Sequence, residues 1–403
     1  RRKLLELQLR GSRSQTSRTV QPHHCGTDAW GRVYIVDKES HSVLRVSADG
    51  SEITTVAGTH AMGNGPDVAT PATQVALTDP NGLHVLSDGT FYIFDTGNSK
   101  IRRVSPSGEC STIHTFTPTP SFLVGRGLWV SDDEQLIYFC GEIIFSGPQT
   151  GLQAVMKFSA ADGVVSNYAH LPPGERGLGN LDVAPDGSLG VTSSGDHRVY
   201  RITGPGATPV IIAGNGMEGN NSTSGVPATS VPLERVRGIS FLPDGSYFLA
   251  TQKGGDIWWV DLDGNIQLFV SGSGSGNVKS GDGLVHNSAG DKISEPRATH
   301  WASNGDLLIV SNDTGVVRAV NTTSTRSAPQ ATLTEGLQNF TLSFPATTKG
   351  RYLLESSTSL ISDDWTAETG LSSSENKIFS HPLLKNGGTK FWRIVVPSEA
   401  GGN

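Results

Sequence analysis

Cysteine is scarce in this chain, and long apolar runs are missing. The 403 residues include three cysteines, Cys25, Cys110 and Cys140, and no Cys-x-x-Cys spacing, so neither a zinc site nor a dithiol redox site is expected. No apolar run reaches transmembrane length, and we expect no membrane span. The net charge of −7 argues against a general nucleic-acid binder.

The short motifs of several catalytic classes are also missing. The sequence contains no Gly-x-Ser-x-Gly elbow, no His-Glu-x-x-His pair and no phosphate-binding loop. Local motifs therefore assign neither a reaction nor a cofactor, and whether the protein is an enzyme stays open at this point.

Glycine, by contrast, is abundant and periodic. The stretch Asp79–Gly108 reads DPNGLHVLSDGTFYIFDTGNSKIRRVSPSG and alternates short apolar strands with turns, among them Asp88-Gly89, which suits the positive φ of a tight hairpin. With the segment that follows, it predicts four short antiparallel strands. One such sheet cannot bury both faces alone, so it must be repeated.

The repeat is visible in the turn glycines. Gly31 and Gly89 are 58 residues apart, as are Gly187 and Gly245, and Gly305 follows 60 residues after Gly245. The longer interval between Gly89 and Gly187 holds two shorter units, which makes six units in all. A four-stranded unit of this period is a propeller blade. Six units predict an all-β fold, a six-bladed β-propeller over residues 1–324, whose connections at 59–78, 215–234 and 273–295 are long. Blade six lacks a fourth strand, and we expect residues 4–9 of the segment 1–20 to supply it.

The second unit resembles the NHL-repeat family. The residues that carry the resemblance are Pro71-Ala72-Thr73, Asp79-Pro80-Asn81-Gly82-Leu83 and Asp95-Thr96-Gly97-Asn98-Ser99. The resemblance covers roughly residues 22–321 and implies a propeller. It implies no reaction, because these propellers include binding modules, scaffolds and enzymes.

The pattern changes after residue 324. Segments such as Arg351-Tyr352-Leu353-Leu354 and Lys390-Phe391-Trp392-Arg393 alternate at period two. With Trp365 they resemble the small immunoglobulin-like β-sandwich modules of secreted bacterial proteins. We therefore predict a linker and small β-sandwich over residues 325–403, and an extracellular or periplasmic location.

Aligning the blades on their turn glycines places one set of residues where the innermost strands begin. The arginines there predict a positive mouth that binds an anionic or carbohydrate-type ligand, a small molecule or a polysaccharide, because guanidinium groups bind carboxylate, sulfate or phosphate with two hydrogen bonds. The alternative is that the arginines pair with neighbouring blades. The aligned residues are His23, Asn81, Gly179, Arg237 and Arg297, and Arg126 of blade three joins them when one gap is allowed.

Two acids, Asp37 and Asp95, occupy equivalent turns on the same predicted face. They are candidates to pair with the arginines or with a ligand, although capping of their own turns is the more common role of Asp there.

Further into the inner strands, His84, His300 and Asp182 share one slot. They are weak candidates for a divalent cation, the one cofactor this group could hold, or else hydrogen-bonded residues of the channel wall. The alternative function is thus a metal-assisted propeller lyase or hydrolase acting at the same mouth. A protein partner also stays open.

Overall fold

The computed structural model describes residues 4–7, 21–48, 50, 52–116, 123–143, 152–172, 177–275, 278, 286, 289–312 and 314–320, and the strands between 332 and 395. The first residues of the predicted linker, 325–331, lie outside the described part of the chain.

Six antiparallel sheets form the predicted six-bladed propeller, and the fold class is confirmed. The first strand of each blade contacts the first strands of its two neighbours, which closes the ring around a central channel. From inner to outer strand, the blades are Pro22–Thr27, Val33–Asp37, Ser42–Val46 and Ile53–Ala57; Pro80–Val85, Phe91–Asp95, Lys100–Val104 and Glu109–Thr115; Leu123–Val130, Leu136–Ile143, Leu152–Ser159 and Val164–His170; Leu178–Val183, Leu189–Ser193, Arg198–Ile202 and Val210–Ala213; Val236–Phe241, Tyr247–Thr251, Ile257–Val260 and Asn265–Val270; and Pro296–Trp301, Leu307–Ser311, Val316–Val320 and Leu4–Leu7.

The ring closes through the N-terminal segment. Leu4–Leu7 pairs antiparallel with Val316–Val320 and is the outermost strand of blade six. Residues 8 and 9 of the expected strand 4–9 lie outside the described residues. The first and last blade strands of the propeller therefore belong to one sheet, which leaves blade six with no missing strand.

The core lies between blades. One cluster joins Tyr34 and Val36 of blade one to Leu83 and Ile93 of blade two, and another joins Ile35 of blade one to residues of blade six. Each sheet is thus buried on both faces by its neighbours, which is why a single blade would not fold alone.

Two long connections repeat the same path. The connection before blade two adds a short strand, Thr70–Pro71, to the outer edge of that blade, and the connection before blade five adds Val226–Pro227 in the same way. A 3₁₀ turn follows each, at Ala72–Gln74 and Ala228–Ser230. All three long connections run from an outer strand to the next inner strand, so topology places them at one face, which we name the loop face.

Beyond blade six, six strands form two three-stranded antiparallel sheets. One contains Thr332–Glu335, Asn339–Pro345 and Ile378–Leu384, and the other contains Thr366–Ser373, Gly350–Ser357 and Phe391–Val395. That these two sheets pack as a small β-sandwich stays a prediction.

Candidate functional site

Each inner strand carries a break in its pairing near its start. The register between the inner and second strands shifts once in every blade, for example between Pro22 and His24 and between Pro80 and Gly82. A bulge of this kind places two residues opposite one and redirects side chains. The residues that fall in the six register breaks include the whole aligned set, His23, Asn81, Arg126, Gly179, Arg237 and Arg297.

Within this set, His23, Asn81, Arg126 and Arg297 lie near one another at the loop-face end of the channel. His23 Nδ1 lies 2.6 Å from Asn81 Oδ1, which joins blades one and two. Asn180 of blade four donates to the carbonyl of Arg297 in blade six at 3.4 Å. We use "the mouth" for His23, Asn81, Arg126, Arg237 and Arg297.

Positive charge dominates the mouth. Burial, together with the nearby charge of Arg297, lowers the pKa of Arg126 to about 10. Burial lowers the pKa of His23 to about 3, with Arg297 and Arg126 also acting against its protonation. His23 is therefore neutral, and its hydrogen-bonded position beside Asn81 does not require charge.

Two guanidinium groups of the mouth lack a protein partner in the part of the chain that the structure describes. Neither Arg126 nor Arg237 forms a side-chain hydrogen bond or an ion pair there, and Arg237 Nε is buried. A half-buried cation without a counter-charge is costly to a folded protein.

The two candidate acids bind within their own blades. The Asp95 carboxylate pairs with Arg102 at 2.7 Å and accepts from Asn98 and from the Thr78 N–H. Asp37 Oδ1 accepts from the N–H groups of Gln21 and Ser40. Both therefore cap turns, and neither forms an ion pair with Arg126 or Arg237.

A large cavity fills the channel beyond the mouth. Its volume is about 690 Å³, all six blades line it, and it extends to the hairpin turns at the end opposite the loop face. We name that end the turn face and the space the turn-face cavity. The mouth residues do not line it, because small residues between them and the cavity let the inner strands approach: a side chain at Gly82 or Gly127 would lie 2.7 or 2.6 Å from the neighbouring strand's backbone.

The three metal candidates line this cavity but do not form a metal site. His300 Nε2 lies 3.0 Å from Thr27 Oγ1, and the two Asp182 oxygens accept from the N–H groups of Val183 and Phe241. The His84 ring packs on Trp129. Within the described residues, no three His, Cys, Asp or Glu side chains lie close enough to hold a metal ion.

Sequence reasoning missed a pair of histidine contacts that position two inner strands. His41 Nδ1 accepts from the Asp79 N–H at 3.2 Å, and His197 Nδ1 accepts from the Arg235 N–H at 3.1 Å. Both contacts span 38 residues, and all four residues have φ between 48° and 53°. The signal was present: each histidine lies in the turn after the second strand and precedes a glycine, Gly58 or Gly214, by seventeen residues.

Comparison with known proteins supports the fold. No family model matches the chain and no curated protein matches it, so the NHL-repeat resemblance stays a prediction, as does the immunoglobulin-like class of the C-terminal sheets. Solved structures of β-propellers do match. An auxiliary nutrient binding protein from Bacteroides ovatus is 12% identical, with a TM-score of 0.57 over 79% of this chain and 76% of that one.

Two further structures are similar to this chain over a comparable share of its length. An auxiliary nutrient binding protein from Bacteroides thetaiotaomicron is 12% identical, with a TM-score of 0.56 over 80% of this chain and 77% of that one. A gluconolactonase from Xanthomonas campestris is 13% identical, with a TM-score of 0.52 over 79% of this chain and 89% of that one. At these identities the likeness concerns the fold. In the described residues, no helix is long and apolar enough to cross a membrane.

Proposed function

We propose that this propeller is an exported binding protein whose mouth takes an anionic small molecule or an acidic sugar. The observation that carries the proposal is the pair of guanidinium groups, Arg126 and Arg237, that have no partner among the described residues. A carboxylate, sulfate or phosphate would supply the missing negative charge and accept several hydrogen bonds from them.

The surroundings of the mouth strengthen the case for an anion. Lys38 adds to the positive potential at His23, and the candidate acids Asp37 and Asp95 bind within their own turns. A concave end of a channel lined by one sign of charge concentrates ions of the other sign. The solved nutrient-binding propellers share this fold, and we extend ligand binding from them to this chain as part of the proposal.

A matched pair of sugars tests the proposal. Glucuronate carries a carboxylate and glucose does not, so calorimetric titration should show binding of glucuronate only. The double variant Arg126→Ala with Arg237→Ala should reduce the affinity for glucuronate by about tenfold or more. Raising the salt concentration should weaken binding as well, because the mouth opens to solvent.

Arg45→Ala is the control, because it removes one positive charge from the third strand of blade one, away from the mouth. It should leave the affinity for glucuronate unchanged. Equal binding of glucose and glucuronate, or an unchanged affinity in the double variant, would contradict an anion site at the mouth. The proposed export is tested separately, by cell fractionation, which should find the protein in the extracellular or periplasmic fraction.

The alternative, a metal-assisted lyase or hydrolase, has no supporting ligand cluster in the described part of the chain. The gluconolactonase shares the fold with this chain at 13% identity, which carries no catalytic residue over. Metal analysis of the purified protein, with an assay on a sugar lactone, tests this alternative directly.

A further inference from the structure

The turn-face cavity has the size of a second ligand site. Its volume of about 690 Å³ lies within the range of roughly 300–1,000 Å³ that is usual for small-molecule pockets. Residues of the six inner strands and of the turns after them form its wall. No residue of the mouth belongs to that wall, so a ligand in the cavity would meet side chains other than the arginines of the mouth.

The carboxylates of the wall already have partners within the protein. Three of them, Asp28, Asp132 and Asp182, line the cavity. Asp28 pairs with Arg32, which stands outside the lining. The two oxygens of Asp182 accept from backbone N–H groups at 2.9 and 2.8 Å, and Asp132 also interacts with other residues of the chain. None of the three is therefore a free counter-charge for a cationic ligand.

The wall offers no counter-charge to an anion either. No lysine or arginine is among the described residues that line the cavity. Burial lowers the pKa of His24 to about 4 and that of His300 to about 3, so both imidazoles are uncharged near pH 7. An ion that entered the cavity would lose hydration without gaining a free partner of opposite charge, which is costly. An uncharged ligand avoids this cost.

Two tryptophans supply aromatic surface to the wall. Trp129 packs against Tyr138 and His84, and Trp301 is stacked on Phe248 with an interplanar angle of 19°. Both tryptophans line the cavity and are partly exposed. Because neighbouring rings hold each indole in place, an aromatic ligand can pack on it in the offset or edge-to-face arrangements that such rings prefer.

The same two tryptophans have indole N–H groups without an acceptor. Within the described part of the chain, neither N–H donates a hydrogen bond and neither is buried. Trp259, by contrast, donates its indole N–H to Ser246 Oγ at 3.2 Å and is not part of the wall. An indole nitrogen is a donor only, so Trp129 and Trp301 can each donate to an oxygen of a ligand.

We propose that the turn-face cavity binds an uncharged aromatic molecule that carries a hydrogen-bond acceptor, such as an amide or ketone oxygen. The ring of the ligand packs against Trp129 or Trp301, and its oxygen accepts from an indole N–H of this pair. The site is separate from the anion site proposed for the mouth. The two ends of the channel would then bind two different classes of ligand.

Three probes of one shape and different charge test this inference. Near pH 7 benzamide is uncharged, benzoate is an anion and benzamidine is a cation. Each is titrated into the full 403-residue chain, isotope-labelled at tryptophan, and the indole N–H resonances of Trp129 and Trp301 report binding in the cavity by NMR. Benzamide should bind there about tenfold more tightly than either ion. Benzoate bound at the mouth would leave these two resonances in place.

A fourth probe tests the aromatic part of the proposal. Cyclohexanecarboxamide keeps the amide group of benzamide and replaces the aromatic ring by a saturated one. It should bind in the cavity about threefold or more weakly than benzamide, because contact between aromatic rings adds to the burial of apolar surface.

The double variant Trp129→Phe with Trp301→Phe tests the donors. It keeps an aromatic ring at both positions and removes both indole N–H groups, so the affinity for benzamide, measured by ligand-observed NMR, should fall about fivefold. Trp259→Phe is the control, since Trp259 lies outside the wall, and it should leave the affinity unchanged. If the double variant fails to fold, the indole shifts of the wild-type protein still decide the question.

The two proposed sites fail separately. The Arg126→Ala, Arg237→Ala double variant should leave benzamide binding unchanged, and the tryptophan double variant should leave glucuronate binding unchanged. The cavity site would be overturned by tighter binding of either ion in the cavity, by indole resonances that benzamide does not shift up to its solubility limit, or by a benzamide affinity that the tryptophan double variant retains. None of these results would touch the proposal for the mouth.

Discussion

At the scale of single residues, surroundings decide what an arginine does in this protein. Arg102 is fully buried, pairs with Asp95 and donates to the Pro66 carbonyl and to Thr112. Through these contacts, Arg102 holds the long connection before blade two against that blade. Arg237 has no such partner among the described residues. The same side chain is therefore structural in one place and a candidate ligand group in the other.

The repeated histidine contacts lead to a prediction at this scale. Asp79 and Arg235 have positive φ, and each N–H depends on a histidine nitrogen for its hydrogen bond. His41→Ala and His197→Ala should each lower the free energy of unfolding by about 1–2 kcal/mol, because a partly buried donor loses its acceptor.

Denaturant titration measures this loss, with His170→Ala as the control, since His170 is exposed at the end of a blade-three strand. If the three variants are equally stable, the histidine contacts do not fix the inner strands.

At the scale of elements, the inner strand is the unit that combines fold and site. A bulge near its start redirects residues to the mouth, and residues further along face the cavity. Small residues between the two levels, such as Gly82 and Gly127, allow neighbouring inner strands to approach. One strand of about six residues therefore contributes to both ends of the channel.

The closing strand supports a prediction about stability. Leu4–Leu7 pairs with blade six over four residue pairs, so removing residues 1–11 should destabilise the propeller by about 2–4 kcal/mol of backbone hydrogen bonding. The apparent melting temperature should fall by several degrees.

Leu5→Pro should act in the same direction because proline is disfavoured within a paired strand, and Leu5→Val, which keeps the backbone N–H, is its control. A melting curve unchanged by both the deletion and Leu5→Pro would show that the ring does not need this strand.

At the scale of the whole molecule, ring closure creates environments that no single blade has. His23 and His24 belong to blade one and His300 to blade six, and burial in the closed channel lowers the pKa of each below 6.5. The unfolded chain binds protons at these histidines below pH 6.5, and the folded protein does not until about pH 4 or 3. Acid therefore favours unfolding in that window.

The expected outcome is a loss of up to about 1.4 kcal/mol of stability per pH unit for each such histidine as the pH falls from 6.5 toward 4. Buried acids act in the opposite sense: the pKa of Asp256 is raised to about 6, so its protonation favours the folded state. Because such acids act alike in wild type and variant, the test compares the pH dependence of stability in wild type with that in His24→Asn. This substitution copies Asn180, the residue at the matching place in blade four.

His24→Asn should show a shallower loss of stability with acid in denaturant titrations at several pH values. An identical pH dependence in wild type and variant would mean that His24 titrates alike in the folded and unfolded protein.

The sequence allowed much of the fold and part of the site to be predicted. Turn glycines such as Gly89 and Gly245 have φ of 82° and 96°, and because a tight turn is a local event, their spacing revealed the blades. The same alignment found the residues at the register breaks. The partners of Asp95 could not be predicted, because the turn offers several donors and only the folded loop before blade two fixes Arg102 beside it.

The sequence by itself determined the all-β class, the blade repeat and which residues begin each inner strand, since alternation and turns depend on neighbours along the chain. Tertiary structure decided which charges meet. Arg126, Arg237 and Arg297 come from three blades, and the turn-face cavity combines residues of all six. Such groupings depend on ring closure and on distances across the channel, which a one-dimensional pattern does not contain.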